Sequence, residues 1–238
     1  MAAEAAEPFK LSGSGLSGPG PRGLVFDLDG TLVDSAPDIH AGVTAVLAED
    51  GHAALPFEMV RGFIGGGVAV LMERVMRARG EPACTARRDD MARRFTAMIE
   101  AEPGGLTRPY DGAGAALEAV QRAGLRLGIC TNKPEAQARG LLAHLGWGAQ
   151  FGVVVGGDTL AVRKPDPDPL RVAITRMGGG PVLFVGDSEV DCATAEAAGV
   201  PFVLFTGGYR TTPVEGLPHL AAFDRWEEFP ALIAGLRA

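Results

Sequence analysis

Residues 24–35 read LVFDLDGTLVDS, an apolar run that ends in Asp27 and Asp29 and is followed at once by Gly30. The run is continuous rather than alternating, the pattern of a strand covered on both faces of a parallel sheet. Two carboxylates at its exit repel each other, and neither ionises comfortably beside the other without a cation or a proton. The stretch therefore predicts a central buried strand whose end presents acidic groups to something positive.

Further apolar runs occur downstream at 125–130 (LRLGIC), 152–156 (GVVVG), 181–186 (PVLFVG) and 201–205 (PFVLF). Between them lie helical patterns at 112–124, 134–146, 168–178 and 189–199, most of them closed by glycine. Strand and helix in alternation predict an α/β fold, a Rossmann-like parallel sheet. One interval breaks the rhythm. From 36 to 107 the sequence shows only amphipathic helical segments, with Met72, Met76, Met91 and Met98 at helical spacing, which predicts an inserted all-helical unit. An insertion just after the first strand sits over the C-terminal edge of the sheet, where open α/β folds bind ligands. Residues 1–22, rich in Gly, Ser and Pro from 12 to 21, read as a flexible leader. The expected organisation is thus a leader at 1–22, a catalytic core at 23–35 and 108–238, and a helical cap at 36–107.

With 238 residues, 47% of them hydrophobic, the chain can bury a substantial core. A formal charge of −7 argues against nucleic acid and anionic membrane as partners, since both reward basic patches. A small phosphorylated metabolite is the expected partner, with the protein a monomer or homodimer. Cys84, Cys130 and Cys192 are widely spaced and suggest neither a disulfide framework nor a zinc site. No run of 18 apolar residues and no secretory pattern occurs, so a cytoplasmic location is expected.

Taken singly, the polar residues at the strand ends have ordinary readings. Asp27 and Asp29 fit an Asx turn, Thr131 a helix cap, Lys164 a solvated loop, and Asp187 and Asp191 the first turn of a helix. Their common position at or just beyond predicted C-terminal strand ends suggests instead that they converge. Asp27, Asp29 and Asp187, with no histidine or thiolate beside them, suit a hard cation, and Mg²⁺ is the usual one beside a phosphate. Asp27 is then the candidate nucleophile towards phosphorus, and Asp29 the acid and base for alkoxide and water. Thr131 and the turn it opens, including Asn132, supply donors to the phosphoryl oxygens, while Lys164 neutralises charge. Gly30 lets the backbone come near the ligand.

DLDGT at 27–31, CTNK at 130–133, KPDPDPL at 164–170 and GDSEVD at 186–191 together resemble the four ordered motifs of the haloacid dehalogenase-like hydrolases. The resemblance implies a nucleophile at Asp27 and an acid/base at Asp29. It implies Mg²⁺ held by the Asp27 carboxylate, the Asp29 backbone carbonyl and Asp187, with Asp191 supporting them from behind. It also implies a small helical cap of C1 type. Within that family, VRGFIGGGVAVLMERV (60–75), RPYDGA (108–113), CTNKP (130–134) and GGYRTTPVEGLP (207–218) look like bacterial phosphoglycolate phosphatases, which implies hydrolysis of 2-phosphoglycolate to glycolate and phosphate. Gly65, Gly66 and Gly67, at an expected helix start, offer free amides to a substrate carboxylate. Arg61 and Lys133 are further candidates for that carboxylate. Another sugar-phosphate phosphatase or a phosphomutase stays open, and so does a non-catalytic phospho-acceptor or binding protein on the same fold.

Overall fold

Leu24, Val25 and Phe26 are fully buried, and their side chains alternate between two different hydrophobic clusters. That is the signature of a strand covered on both faces. The computed structural model describes residues 20–101 and 104–236. Strand β1 (Gly23–Phe26) runs into the acidic turn, and β2 (Val33–Asp34) leads to four helices, α1 (Ala36–Glu49), α2 (Phe57–Arg61), α3 (Val68–Ala78) and α4 (Thr85–Ala101). β3 (Arg108–Pro109) returns the chain to α5 (Ala113–Arg122), β4 (Arg126–Cys130), α6 (Glu135–His144), β5 (Val153–Val155), α7 (Asp168–Arg176), β6 (Val182–Gly186), α8 (Glu189–Ala198) and β7 (Phe202–Phe205). A short 3₁₀ turn at Val214–Gly216 precedes β8 (Ala221–Phe223) and α9 (Phe229–Gly235).

The sheet has six strands in the order β5-β4-β1-β6-β7-β8, all parallel. β1 stands where the order reverses: β4 and β5 lie to one side of it, and β6, β7 and β8 to the other. In such sheets the crevice at the carboxyl ends of the strands flanking the reversal is the place for a ligand. Helices α5, α6 and α9 cover one face through Leu117, Leu141 and Phe229. Helices α7 and α8 cover the other through Leu170, Ala173 and Ala195. Phe26 anchors the first layer, with ring centroids 5.9–6.2 Å from Phe151, Trp226 and Phe229.

The helices α1 to α4 form their own cluster, built on Val43, Met72, Met91 and Phe95. Met72, Met76 and Met91 are buried in it and Met98 packs against it, as their spacing suggests. The two segments that join this layer to the sheet pair with each other as the antiparallel strands β2 and β3, Val33 opposite Pro109 and Asp34 opposite Arg108. Asp38 tightens the junction by accepting from the backbone N–H groups of Leu106 and Thr107, both at 2.8 Å. Of the expected leader, residues 1–19 lie outside the described residues. Arg22 is already bonded into the sheet, its N–H donating to Pro181 O and its carbonyl accepting from Arg126 N. No helix among the described residues is long and apolar enough to cross a membrane.

Truncating Phe26 to Ala removes a fully buried ring at the middle of the larger core layer. Unfolding by urea should show a loss of about 3–5 kcal/mol, the range for buried Phe to Ala. A loss below about 1 kcal/mol would mean that the sheet does not depend on this layer.

Candidate active site

Three neighbouring strands deliver the site. Asp27 directly follows β1, and its N–H extends the ladder to Val185 O at 2.9 Å; Thr131 directly follows β4 and donates its N–H to Val155 O at 3.0 Å; Asp187 directly follows β6. Lys164 arrives from the long connection after β5 and is 3% exposed. Beyond Asp27 the chain turns sharply, the Leu28 carbonyl accepting from the N–H groups of Thr31, Leu32 and Val33. Gly30 adopts φ +91°, and a Cβ there would meet Asp187 Oδ2 at 2.6 Å and the Tyr209 ring at 2.7 Å. The close approach of Asp187 and Tyr209 thus requires glycine at this position.

Asp27, Asp187 and Asp191 are all buried, and each offers a carboxylate oxygen within 4.8 Å of the others. Lys164 Nζ lies 2.6 Å from Asp191 Oδ1, as a hydrogen bond, and 2.9 Å from Asp27 Oδ1, as an ion pair without hydrogen-bond alignment. The second oxygen of Asp191 is consumed by Ser188 Oγ at 2.7 Å and by the N–H groups of Ser188 and Asp187 at 3.2 Å each. Ser188 and Asp191 also form a capping box that starts α8. The helix-cap reading of Asp191 thus holds, and the same carboxylate also bonds Lys164. Asp187 accepts from Thr31 Oγ1 at 2.7 Å and from the Tyr209 N–H at 2.6 Å.

Burial, opposed by Lys164 and reinforced by Asp191, pushes the Asp27 carboxyl up from 3.8 to about 7. Asp187 is raised well above the carboxylate range, again by burial first and then by Asp191 and Asp27. Burial works against the charge on Lys164, yet Asp191 and Asp27 hold it above its ordinary value. Three carboxylates against one ammonium leave two negative charges uncompensated, and all the donors are hard oxygens. This set fits a divalent cation. No histidine or cysteine belongs to the cluster. Burial drives the Cys130 thiol up to about 12, which makes it a core residue and not a nucleophile.

Asp29 is not in the cluster, although the sequence suggested its carboxylate as part of the acidic set. Its side chain turns away to Lys133, whose Nζ donates to Oδ1 at 3.0 Å. Both groups face a cavity of about 220 Å³ that also opens onto Asp27 and Thr131. The opposite wall comes from the helical layer, through Ile64, Gly65, Gly67, Leu71, Phe95 and Ile99. Lys133 is the one cationic side chain lining this cavity among the described residues.

Several other residues fall differently from expectation. Arg61 does not line the cavity; its Nη2 donates to Gly208 O at 2.9 Å, and its guanidinium lies over the Tyr209 ring, 5.5 Å from the centroid. An amphipathic pattern tells which side of α2 is polar but not that this side meets the loop after β7. Gly66 also stays outside the cavity, facing Val70. Gly65 and Gly67 do line it, and Gly67 is the residue before α3 with φ +83°. Asn132 lines it too, but its Nδ2 is spent on Gly65 O at 2.8 Å and Lys164 O at 3.0 Å, so it ties the helical layer to the sheet.

Tyr209 was missed. Its hydroxyl donates to Asp34 Oδ1 at 2.7 Å and accepts from the N–H groups of Ser35 and Ala36 at 2.7 and 2.9 Å. It therefore joins the start of α1 to the loop that holds Asp187. Gln137 and Ser35, both on the cavity wall, were missed as well. A tyrosine between two glycines and a threonine pair carries no local sign of contacts 174 residues away.

The sequence profile of the haloacid dehalogenase-like hydrolases matches residues 21–199. The chain is 50% identical over 216 residues to a phosphoglycolate phosphatase of Cereibacter sphaeroides (strain ATCC 17029 / ATH 2.4.9), covering 91% of this chain and 99% of that protein. It is 44% identical over 211 residues to a phosphoglycolate phosphatase of Rhodospirillum rubrum, with 86% and 87% covered. Among solved structures, that of a predicted phosphoglycolate phosphatase from Haemophilus somnus 129PT superposes with a TM-score of 0.82 at 28% identity, over 89% of this chain and 97% of that one.

The charge deficit has a consequence for stability. A carboxyl whose native pKa lies above its unfolded value binds more protons folded than unfolded, so stability falls as pH rises between the two values. For Asp27 that window runs from 3.8 to about 7, and Asp187 acts in the same direction. Asp50, lowered by its bonds to Arg87 and Arg94, acts in the opposite sense, but only below 3.8. In EDTA, the melting temperature should fall from about pH 5 to about pH 7. An added divalent cation should flatten the slope by taking the place of the protons. A melting temperature that rises across that window in EDTA would contradict a cation-deficient cluster.

Proposed function

Because the chain belongs to the haloacid dehalogenase-like hydrolases, we propose that it is a Mg²⁺-dependent phosphatase hydrolysing 2-phosphoglycolate to glycolate and phosphate through an aspartyl-phosphate on Asp27. The observation that carries this reading is that Asp27, Asp29, Thr131 and Lys133 line one cavity at the switch point of the sheet. The names of the relatives support the substrate. So does the lone ammonium of Lys133, which suits a leaving group that is itself an anion.

The chain's own groups divide the work. An Asp27 oxygen attacks phosphorus, and the ester P–O bond breaks on the opposite side. Asp29, two residues on, gives its proton to the departing alkoxide and later takes one from the water that cleaves the acyl-phosphate, which releases phosphate and restores the Asp27 carboxylate. The Thr131 hydroxyl, which accepts the Lys133 N–H at 3.2 Å, keeps its own proton free for a phosphoryl oxygen. Lys164, locked by Asp191, offsets charge at the nucleophile. Asp27 and Asp187, with the Asp29 backbone carbonyl, would hold Mg²⁺. When bound, the ion supplies charge neutralisation, so that an anionic nucleophile can approach an anionic phosphate. Binding of the substrate carboxylate by Lys133 would draw that ammonium away from Asp29.

A second reading within the family, phosphomutase, requires the phosphoryl group to be handed back to a sugar. The wall on the helical side is largely apolar, through Ile39, Ile64, Leu71, Phe95 and Ile99, with Asp38 and Glu100 as its charged members.

Asp27→Asn keeps the shape and removes the nucleophile. Steady-state turnover of 2-phosphoglycolate should fall roughly a thousandfold or more with the melting temperature unchanged or raised. Phosphoryl trapping on any residue other than Asp27 would overturn the assignment. EDTA should abolish turnover, Mg²⁺ should restore it, and Ca²⁺, larger and less strict in geometry, should restore little. Full activity in chelator would remove the metal from the reading.

A further inference from the structure

A buried polar atom without a partner is uncommon in a folded protein and asks for an explanation. Four such atoms lie on residues of the cavity wall: Asp27 Oδ1 and Asn132 Oδ1, which can only accept, and Ser35 Oγ and Gln137 Nε2, which can donate, the latter two on side chains 1% and 7% exposed. For Ser35 and Gln137 the local role that residue type usually plays is blocked by its surroundings. Ser35 is the N-cap of α1, where a serine hydroxyl ordinarily accepts a backbone N–H from the first turn. Here it makes no cap bond. The Tyr209 hydroxyl has taken the N–H groups of Ser35 and Ala36 instead. Gln137 stands three residues into α6, the place from which a glutamine reaches back to the N-cap N–H. The N-cap of α6 is Pro134, which has no N–H to give. The next one along, Glu135 N–H, already donates to Asp158 Oδ1 at 2.7 Å. Both side chains are thus left with a polar group, no partner among the described residues, and a cavity in front of them.

The two residues stand on separate elements, Ser35 at the start of the helical layer and Gln137 on the sheet side, while Lys133 lies one turn before Gln137. We propose that Ser35 and Gln137 are specificity-determining residues for the leaving group, their O–H and N–H donating to the carboxylate oxygens of a small acidic alcohol whose charge Lys133 offsets. The proposal rests on the phosphatase reading above and names the contacts that choose its substrate. It explains why a wall that combines Ile39, Leu71, Phe95, Ile99 and Leu141 with the carboxylates of Asp29, Asp38 and Glu100 also keeps two unpaired donors. Apolar residues at these two positions would stabilise the empty pocket better, since a buried polar group without a partner is costly.

The test compares kcat/KM on 2-phosphoglycolate and on phenyl phosphate, whose leaving group has no carboxylate, for wild type, Ser35→Ala and Gln137→Leu, together with melting temperatures. Each substitution should lower the ratio of the two specificity constants by about tenfold or more, the loss expected when a donor to a charged acceptor is removed. Neither should lower the melting temperature, because neither atom has a protein partner to lose. A ratio within about twofold of wild type in both variants overturns the proposal. So does a parallel loss on both substrates together with a lowered melting temperature, which would mean a structural role. If wild type hydrolyses phenyl phosphate but not 2-phosphoglycolate, the substrate reading fails separately. The subsite then stands if the ratio falls for another carboxylate-bearing ester that wild type does hydrolyse, and falls if there is no such ester.

Discussion

Asp27, Asp187 and Asp191 share a single buried ammonium, and the residues around them are arranged to make that shortage of positive charge tolerable. Lys164 reaches only two of the three carboxylates. Asp191 is satisfied in full by Lys164 and the turn of Ser188. Asp187 is held by two donors, and Asp27 keeps an oxygen with no aligned partner. The residual demand for a cation falls on Asp27, which borders the cavity, and on Asp187 beside it. Glycine at positions 30 and 208 follows from the same constraint, since a side chain at either would collide with the Asp187 carboxylate. A protein that stabilised these aspartates completely would have no use for a metal ion there.

The strands of the sheet were legible because burial on both faces leaves a mark that needs no partner to read. Runs such as VLFVG and FVLF are apolar at every position, and the structure places them within one residue of the sequence boundaries. β8 and α9 were not legible. AAF is too short, and only its Phe223 is fully buried, so it has no period to detect. The β2–β3 ribbon is shorter still and exists only because the two ends of the helical insertion lie side by side. The leader was drawn through residue 22, but sheet bonds begin at Arg22, one residue before the apolar run that marks the strand.

In the site, the residues fixed to a strand end were the readable ones. Asp27, Thr131 and Asp187 each follow the last residue of a strand directly, so a one-dimensional motif carries their three-dimensional position. Residues on the helical layer had no such anchor. Charge and a position just before the three glycines make Arg61 a candidate for the substrate carboxylate, whereas the docking of α2 on the loop after β7 gives it a carbonyl and an aromatic ring. Asp29 and Lys133 were both singled out, yet not as partners, because their 104-residue separation hides the pairing. Nothing in the helical pattern at 134–146 sets Gln137 apart; its unpaired buried Nε2 does.

The helical layer hangs from two strands that enter and leave the sheet as neighbours, which removes sliding and leaves rocking about the ribbon as its easy motion. Beyond the Tyr209 bonds at the start of α1, two hydrogen bonds hold the layer down on the described surface: Arg61 on Gly208 and Asn132 on Gly65. A neutral hydrogen bond contributes about 0.5–1.5 kcal/mol and one from a guanidinium about 1.5–3 kcal/mol, so releasing both costs a few kcal/mol. An energy gap of that size leaves the open form populated on the order of 0.1–10%. Both contacts are therefore weak enough to break without unfolding any helix. Because Asn132 adjoins Thr131 and Gly208 adjoins Tyr209, each of these two contacts rests on the residue next to one that shapes the site, so a change in either is felt at the sheet edge as well as in the helical layer.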